Sequence, residues 1–241
     1  MQLDKKLLRG AIFFAPLICV LRADAPVAEP LSVVDTYTAV SSTQNERMRG
    51  ASMEVDIEAS LPKLKKQGRL HALRRVSELG RITYEILHFE GDNTVKTNVI
   101  ARYLAADVQS QASDDSSLAV TPANYKFKYT GIISETGRHV YVFHLTPRKK
   151  RVGAFKGELW LDSETCLPVR ESGRWVKNPS FFVRRIDFVR EYDIENGLAI
   201  PRQIESTVDT RLVGKAELTI RFHDIALAGS PSLSAGAGSG Q

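Results

Sequence analysis

Residues 51–61 alternate without a break. Ala51, Met53, Val55, Ile57, Ala59 and Leu61 carry the apolar side chains, while Ser52, Glu54, Asp56, Glu58 and Ser60 carry the polar ones. Successive side chains of an extended strand point to opposite faces, so this period of two predicts a strand with one buried and one solvated side. The same reading gives further strands at 67–79, 81–90, 125–134, 138–147, 155–162, 167–176, 181–194, 198–209 and 214–226. They are broken at Gly80, Glu135-Thr136-Gly137, Asp162-Ser163-Glu164, Asn178-Pro179 and Glu195-Asn196-Gly197, all of which carry turn chemistry. Asn196-Gly197 between two β-prone runs signals a two-residue hairpin. Strands joined by links this short have to be antiparallel, which excludes a βαβ architecture and predicts one long meander.

Several of these strands are apolar on both sides. Val140-Tyr141-Val142-Phe143-His144-Leu145 is one, Leu159-Trp160-Leu161 another, and in 181–192 Phe181, Val183 and Val189 oppose Phe182, Ile186, Phe188 and Tyr192. An antiparallel sheet with two apolar faces needs cover on each. Helical periodicity occurs in two places. Leu31, Val34, Tyr37 and Val40 recur every three residues in 30–42, with Pro30 in the first turn. Asp92 or Asn93 can cap a segment in which Val95, Val99, Ile100, Tyr103 and Leu104 recur at three- and four-residue spacing. Two short helices cannot cover ten strands. The sheet therefore closes into a barrel, or it curls around an apolar interior that the helices fill in part, with a fully packed core as the alternative to a cavity.

Both ends read differently. Lys5, Lys6 and Arg9 precede an apolar run at 11–21, followed by Ala23-Asp24-Ala25. A helix of that run rises about 16 Å, too short for a ~30 Å hydrocarbon core, so 1–25 is expected to be a secretory signal cleaved near Ala23 or Ala25. Bulky Ile18 before Cys19 argues against lipidation there. The formal charge of +5 then falls to +3, with 29 basic residues against 26 acidic, and Cys166 is left without an intramolecular partner. A periplasmic product stabilised by its core rather than by disulfides is expected, with no nucleic-acid partner. Residues 107–123, rich in Ser, Asp, Gln and Ala, are expected to form a mobile loop. Residues 229–241 read as a disordered tail, leaving one domain over 26–228.

Motifs for chemistry are sparse. His71, His88, His139, His144 and His223 fall on separate segments, and no metal-ligand or nucleophile-elbow spacing is present. Glu158 and Asp162 share one strand face around Trp160, an acid–base pair or a solvated sheet face. Cys166 beside Leu167-Pro168 reads as a small packing residue. The basic run Arg148-Lys149-Lys150-Arg151 follows Pro147 in a connection between strands, where it can meet an anionic surface or be solvated.

Element order and three short motifs carry a resemblance. Tyr141-Val142-Phe143-His144-Leu145-Thr146-Pro147 is followed by Gly157-Glu158-Leu159-Trp160-Leu161-Asp162 and Leu167-Pro168-Val169-Arg170. A strand ending in proline, an aromatic-bearing strand, a turn, then Leu-Pro opening the next strand resembles the outer-membrane lipoprotein-sorting carriers, the LolA/LolB-like superfamily, over about residues 29–227. The resemblance implies a mainly β (α+β) fold: a curled antiparallel sheet of about ten strands forming a half-barrel plugged by short helices, the segment 95–106 among them. It also implies a carrier or binding protein for a lipid or lipoprotein acyl chain, working with membrane-associated donor or acceptor proteins. A regulatory or scaffold module of the envelope that binds a protein partner is the alternative. Neither reading is an enzyme or needs a cofactor, and a monomer is expected. Tyr129, Tyr141, Phe143, Trp160 and Phe182, all aromatic and on or beside the two-faced strands, are the candidate cavity-lining residues, with core packing as the alternative for each.

Overall fold

In a computed structural model, residues 30–112, 118–135, 137–211 and 214–228 are described; the proposed signal at 1–25 and tail at 229–241 lie outside them. The alternation at the start of the chain becomes β1 (Ser52–Leu61), whose apolar positions are buried one after another. β2 (Lys66–Val76) and β3 (Ile82–Gly91) follow as hairpins, and a helical connector leads away from β3. Seven further strands then run in a meander: β4 (Tyr125–Glu135), β5 (Arg138–Pro147), β6 (Phe155–Asp162), β7 (Pro168–Trp175), β8 (Val183–Glu195), β9 (Leu198–Thr210) and β10 (Lys215–Ala226). All ten pair antiparallel in one sheet of order β3-β2-β1-β10-β9-β8-β7-β6-β5-β4. The sheet is curled and open, with β3 and β4 as its edges, and is not closed into a barrel.

The single long meander is thereby corrected. There are two, of three and seven strands, and they join through β1 and β10, the first strand and the last. The link from β3 to β4 is a helix that carries the chain from one edge of the sheet to the other, so short-link logic does not apply there. Where links are short that logic holds: Asn196 (φ 51°) and Gly197 (φ 70°) take the two positive-φ positions of the β8–β9 turn.

The connector begins where Asp92 accepts a hydrogen bond from the Thr94 backbone N–H at 2.7 Å. It runs as α2 (Asn93–Val95), a π-helical stretch (Lys96–Ile100) and α3 (Ala101–Ala112). The expected loop thus starts later than 107, because Asp107 is tied to the sheet. Its carboxylate accepts from the Tyr84 hydroxyl at 2.8 Å and from Arg74 Nε at 3.4 Å. The first helix, α1 (Pro30–Arg47), also outruns its periodic segment. Gln44 hydrogen-bonds both the N–H and the carbonyl of Ala199, and Arg47 donates to the carbonyls of Asn196 and Gly197. These contacts with the β8–β9 hairpin hold the last turn.

Two apolar clusters occupy the helix-covered inner face. One lies under α2–α3 and gathers Met53, Val55, Ile57, Leu70, Leu218 and Ile220 with Val95 and Ile100. The other lies under α1 and joins Val33, Val34 and Tyr37 to Tyr125, Tyr141, Phe143, Phe155, Leu159 and Phe188.

Candidate functional site

Strand register puts one residue from each strand into a single inner-face row. It reads Phe89, Leu70, Ile57, Ile220, Ile204, Arg190, Glu171, Leu159, Phe143, Tyr129. Eight positions are apolar or aromatic, and the two in the middle form an ion pair. Arg190 donates to Glu171 Oε2 at 3.2 Å and lies 4.8 Å over the Phe188 ring. The Glu171 side chain is 9% exposed and that of Arg190 42%, so a buried carboxylate is capped by a guanidinium that opens to solvent. Burial, and then the charge of Glu171, hold the phenols of Tyr192 and Tyr37 well above the usual tyrosine range. For Arg190, burial acts to lower the pKa, but the Glu171 carboxylate outweighs it and the net direction is upward. Tyr103 of α3 is likewise raised by burial first and by Asp107 next. The centre of the inner face is therefore an Arg190–Glu171 ion pair ringed by phenols that burial keeps protonated.

The half of the row toward β4 is aromatic. Tyr129 packs on Phe143 and Tyr141 with ring centroids 5.6 and 6.3 Å apart. Phe127 meets Phe143 edge-on at 6.2 Å and reaches Tyr37 of α1 at 6.3 Å, while Phe155 bridges Tyr125 and Phe188. The structure therefore brings together three of the five candidate lining residues: Tyr129, Tyr141 and Phe143. Trp160 pairs with Val142 and Arg170, which places it on the outer face. Its indole N–H donates to Glu158 Oε2 at 3.0 Å, and Arg170 stacks over the ring at 5.1 Å. Phe182 precedes β8 and is 55% exposed, against Phe181 rather than against the cluster. Phe127, Tyr125, Phe155 and Phe188, which sequence reasoning left out, complete the aromatic floor. For Tyr125 and Phe127 the signal was their spacing by two with Tyr129 along one strand.

The motif-derived candidates have structural roles. Glu158 serves Trp160. Asp162 Oδ1 accepts from the backbone N–H groups of Glu164 and Thr165 and from the Thr165 hydroxyl, closing the β6–β7 turn in which Cys166 takes φ 56°.

On the outer face the β1–β10 pairing creates a cluster that no local spacing announced. His71 of β2 and His223 of β10 flank Asp56 of β1, each with a ring nitrogen 3.0 Å from one of its carboxylate oxygens. Glu54 lies 3.4 Å from the other nitrogen of His71 and 3.9 Å from the other nitrogen of His223. His71 and His223, far apart in sequence, are neighbours after all, since their strands border the same third strand.

The fold and the inner-face row together describe a class: an open, ten-stranded antiparallel sheet curled beneath two helices, with a charged pair at the centre of an apolar face. No family model matches the chain, and no curated protein matches it. Among solved structures it is similar to a LolA superfamily protein from Nitrosomonas europaea, with 14% identity over 83% of this chain and 94% of that one and a TM-score of 0.39. It is also similar to a DUF1329 family protein from Desulfovibrio piger, with 11% identity over 87% and 96% and a TM-score of 0.45. A putative outer membrane lipoprotein-sorting protein domain from Vibrio parahaemolyticus gives 9% identity over 83% and 94%, with a TM-score of 0.41. Among the described residues, no helix is long and apolar enough to cross a membrane.

Proposed function

We propose that the chain is a periplasmic carrier or binding protein that takes the acyl chain of a lipid or lipoprotein between α1 and the aromatic half of the inner face. The observation that carries this reading is how that half is covered. Val33, Val34 and Tyr37 of α1 are buried against Tyr125, Tyr141, Phe143 and Leu159, while the helix's hydrogen-bonded tie to the sheet is at its other end, through Gln44 and Arg47. Burying three such side chains contributes roughly 5–9 kcal/mol, and removing about twelve acyl methylenes from water contributes roughly 10 kcal/mol. The two are close enough for an acyl chain to displace the helix end and for the helix to reclaim its seat on release. The cleavable leader read from the sequence supports the periplasmic setting. The Arg190 guanidinium, half open at the end of the aromatic floor, suits an anionic or carbonyl-bearing head.

Native mass spectrometry of the full chain, exported and gently isolated, should show co-purifying lipid, and a fluorescent long-chain fatty acid should bind with one-to-one stoichiometry. Because α1 competes with the cargo, Tyr37→Ala should tighten probe binding about tenfold, the equivalent of 1.4 kcal/mol of lost cover. Absence of both lipid and probe binding, or binding that Tyr37→Ala weakens, would remove this reading.

A further inference from the structure

The outer-face cluster of Glu54, Asp56, His71 and His223 is remote from the cargo face and plays no part in the proposed carriage. Glu54, His71 and His223 each place a ligand atom within 4.8 Å of those of the other two. Around zinc, with bonds of about 2.0–2.2 Å, the edges of a tetrahedron are about 3.3–3.5 Å long. The 3.4 Å from Glu54 Oε2 to His71 Nε2 is such an edge, and the 3.9 Å to His223 Nδ1 closes to one with a small side-chain rotation. Two imidazole nitrogens and one carboxylate oxygen, on three adjacent strands, form the donor set of an open-sided site for a late first-row divalent cation.

What distinguishes this from a surface ion-pair network is the position of Asp56. Its Oδ1 lies 3.0 Å from His71 Nδ1, and its Oδ2 lies 3.0 Å from His223 Nε2. These are the nitrogens that do not face Glu54. One carboxylate thus faces a ring nitrogen of both histidines at once; accepting both N–H groups, it would leave the lone pairs of the other two nitrogens to a cation, His71 Nε2 toward Glu54 and His223 Nδ1 between Glu54 and Asp224. Metal-binding histidines are oriented in this way by a carboxylate on the far ring nitrogen. The backbone is also shaped here. The β1–β10 register shifts between Ser52 and Glu54, and within the resulting bulge Asp224 takes φ 49° with its carboxylate 3.2 Å from His223 Nδ1. Bulges re-aim side chains in this manner beside functional sites. Three carboxylates, Glu54, Asp56 and Asp224, surround the two rings. Among the described residues no Lys or Arg nitrogen lies within 4.0 Å of any of them.

We infer that this chain binds one zinc-like divalent cation on its outer face, ligated by Glu54, His71 and His223, with Asp56 as the positioning residue and a fourth position left to water or to Asp224. The test uses the full, untagged chain, stripped with a chelator and titrated with Co²⁺ and then Zn²⁺, followed by calorimetry and by the visible d–d absorption of Co²⁺. The expected result is one equivalent bound with a tetrahedral Co²⁺ spectrum that Zn²⁺ abolishes. His71→Ala, His223→Ala and Glu54→Gln should each weaken binding tenfold or more. Asp56→Asn should weaken it 10- to 100-fold and shift the Co²⁺ spectrum. Cys166→Ser, which removes the free thiol of the described residues, and His88→Ala, beside His71 on the same face, should leave affinity unchanged. Zn²⁺ should raise the thermal midpoint of the wild-type chain and not that of the ligand variants, each of which should show its own cooperative transition without metal. Absence of saturable binding, or binding of equal strength in His71→Ala and His223→Ala, overturns the inference.

Discussion

Gly157 of β6 and Gly173 of β7 face each other across the sheet, on the same side as Phe155 and Phe188. A Cβ built on Gly157 would lie 1.9 Å from the Ser172 carbonyl oxygen and 2.5 Å from Gly173 Cα, both of them backbone atoms. Reaching even 3.0 Å from that oxygen requires the β6 and β7 backbones to separate by about 1.1 Å, more than a ladder hydrogen bond tolerates. Overpacking of this kind costs about 1–3 kcal/mol, and each stretched ladder bond adds about 1 kcal/mol. Against this, Gly→Ala lowers the entropy of the unfolded chain, returning about 0.4–1 kcal/mol. Gly157→Ala should therefore destabilise the protein by about 2–3 kcal/mol. Urea titration followed by fluorescence reports it directly, since Trp175 pairs with Phe155 two positions along β6. The midpoint should fall with the slope unchanged, which separates a change in stability from a change in the unfolded state. A loss below about 0.5 kcal/mol, or a gain, would mean that the two strands are not held this close at the glycine pair.

Other changes probe other layers. Phe143→Ala opens a hole where a 1%-exposed ring touches Tyr129 and Phe127, and should cost about 3–5 kcal/mol by the same titration. Arg190→Met leaves the buried Glu171 carboxylate without its partner and should cost about 2 kcal/mol, most of it recovered in the Glu171→Gln/Arg190→Met double variant; equal losses in the single and double variants would deny the coupling. Asp187 is desolvated, which raises its pKa, but hydrogen bonds from Arg185 and Arg174 outweigh this and hold it below the ordinary carboxylate value. Its contribution is present above the unfolded-state value near 4 and is lost as pH falls through the lower folded value. The stability gap between wild type and Asp187→Asn should therefore shrink below about pH 4, and a gap constant down to pH 2 would contradict the pairing.

Strand positions were readable because each strand's periodicity is local, and Asn196-Gly197 and Asp92 announced their turn and cap with short-range chemistry. Which face a residue occupies was readable only within a strand. Phe143 and Trp160 lie on strands joined by residues 148–154, and their relation depends on the register of that hairpin, where a shift of one residue exchanges faces. That is why Trp160 reads as a companion of Phe143 and is found on the opposite side. Phe182 looks like part of β8 because aromatic residues continue past the true start of the strand at Val183. The inner-face pair was hidden for a related reason: Glu171 and Arg190 meet across an irregular connection whose length does not fix the register. Helix ends failed where they depended on distant partners, Gln44 on Ala199 and Asp107 on Tyr84.

The β1–β10 pairing joins these observations, because one register sets both faces. With Ile57 opposite Ile220, the apolar row runs uninterrupted from the first meander into the second, and the same alignment puts His223 opposite Glu54 on the reverse side. A slip of one residue would turn Ile220 out to solvent and carry His223 away from Glu54, so the outer cluster is assembled only when β1 and β10 pair in this register. Interior burial of the Ile57 row supplies the larger driving force, since fully burying an isoleucine contributes about 1.5–3 kcal/mol, whereas exposed ion pairs contribute about 0–1 kcal/mol. The hydrophobic face therefore decides the register, and the polar chemistry of the outer face follows from it. A site built in this way has no sequence motif to find, because its ligands are contributed by strands at opposite ends of the chain.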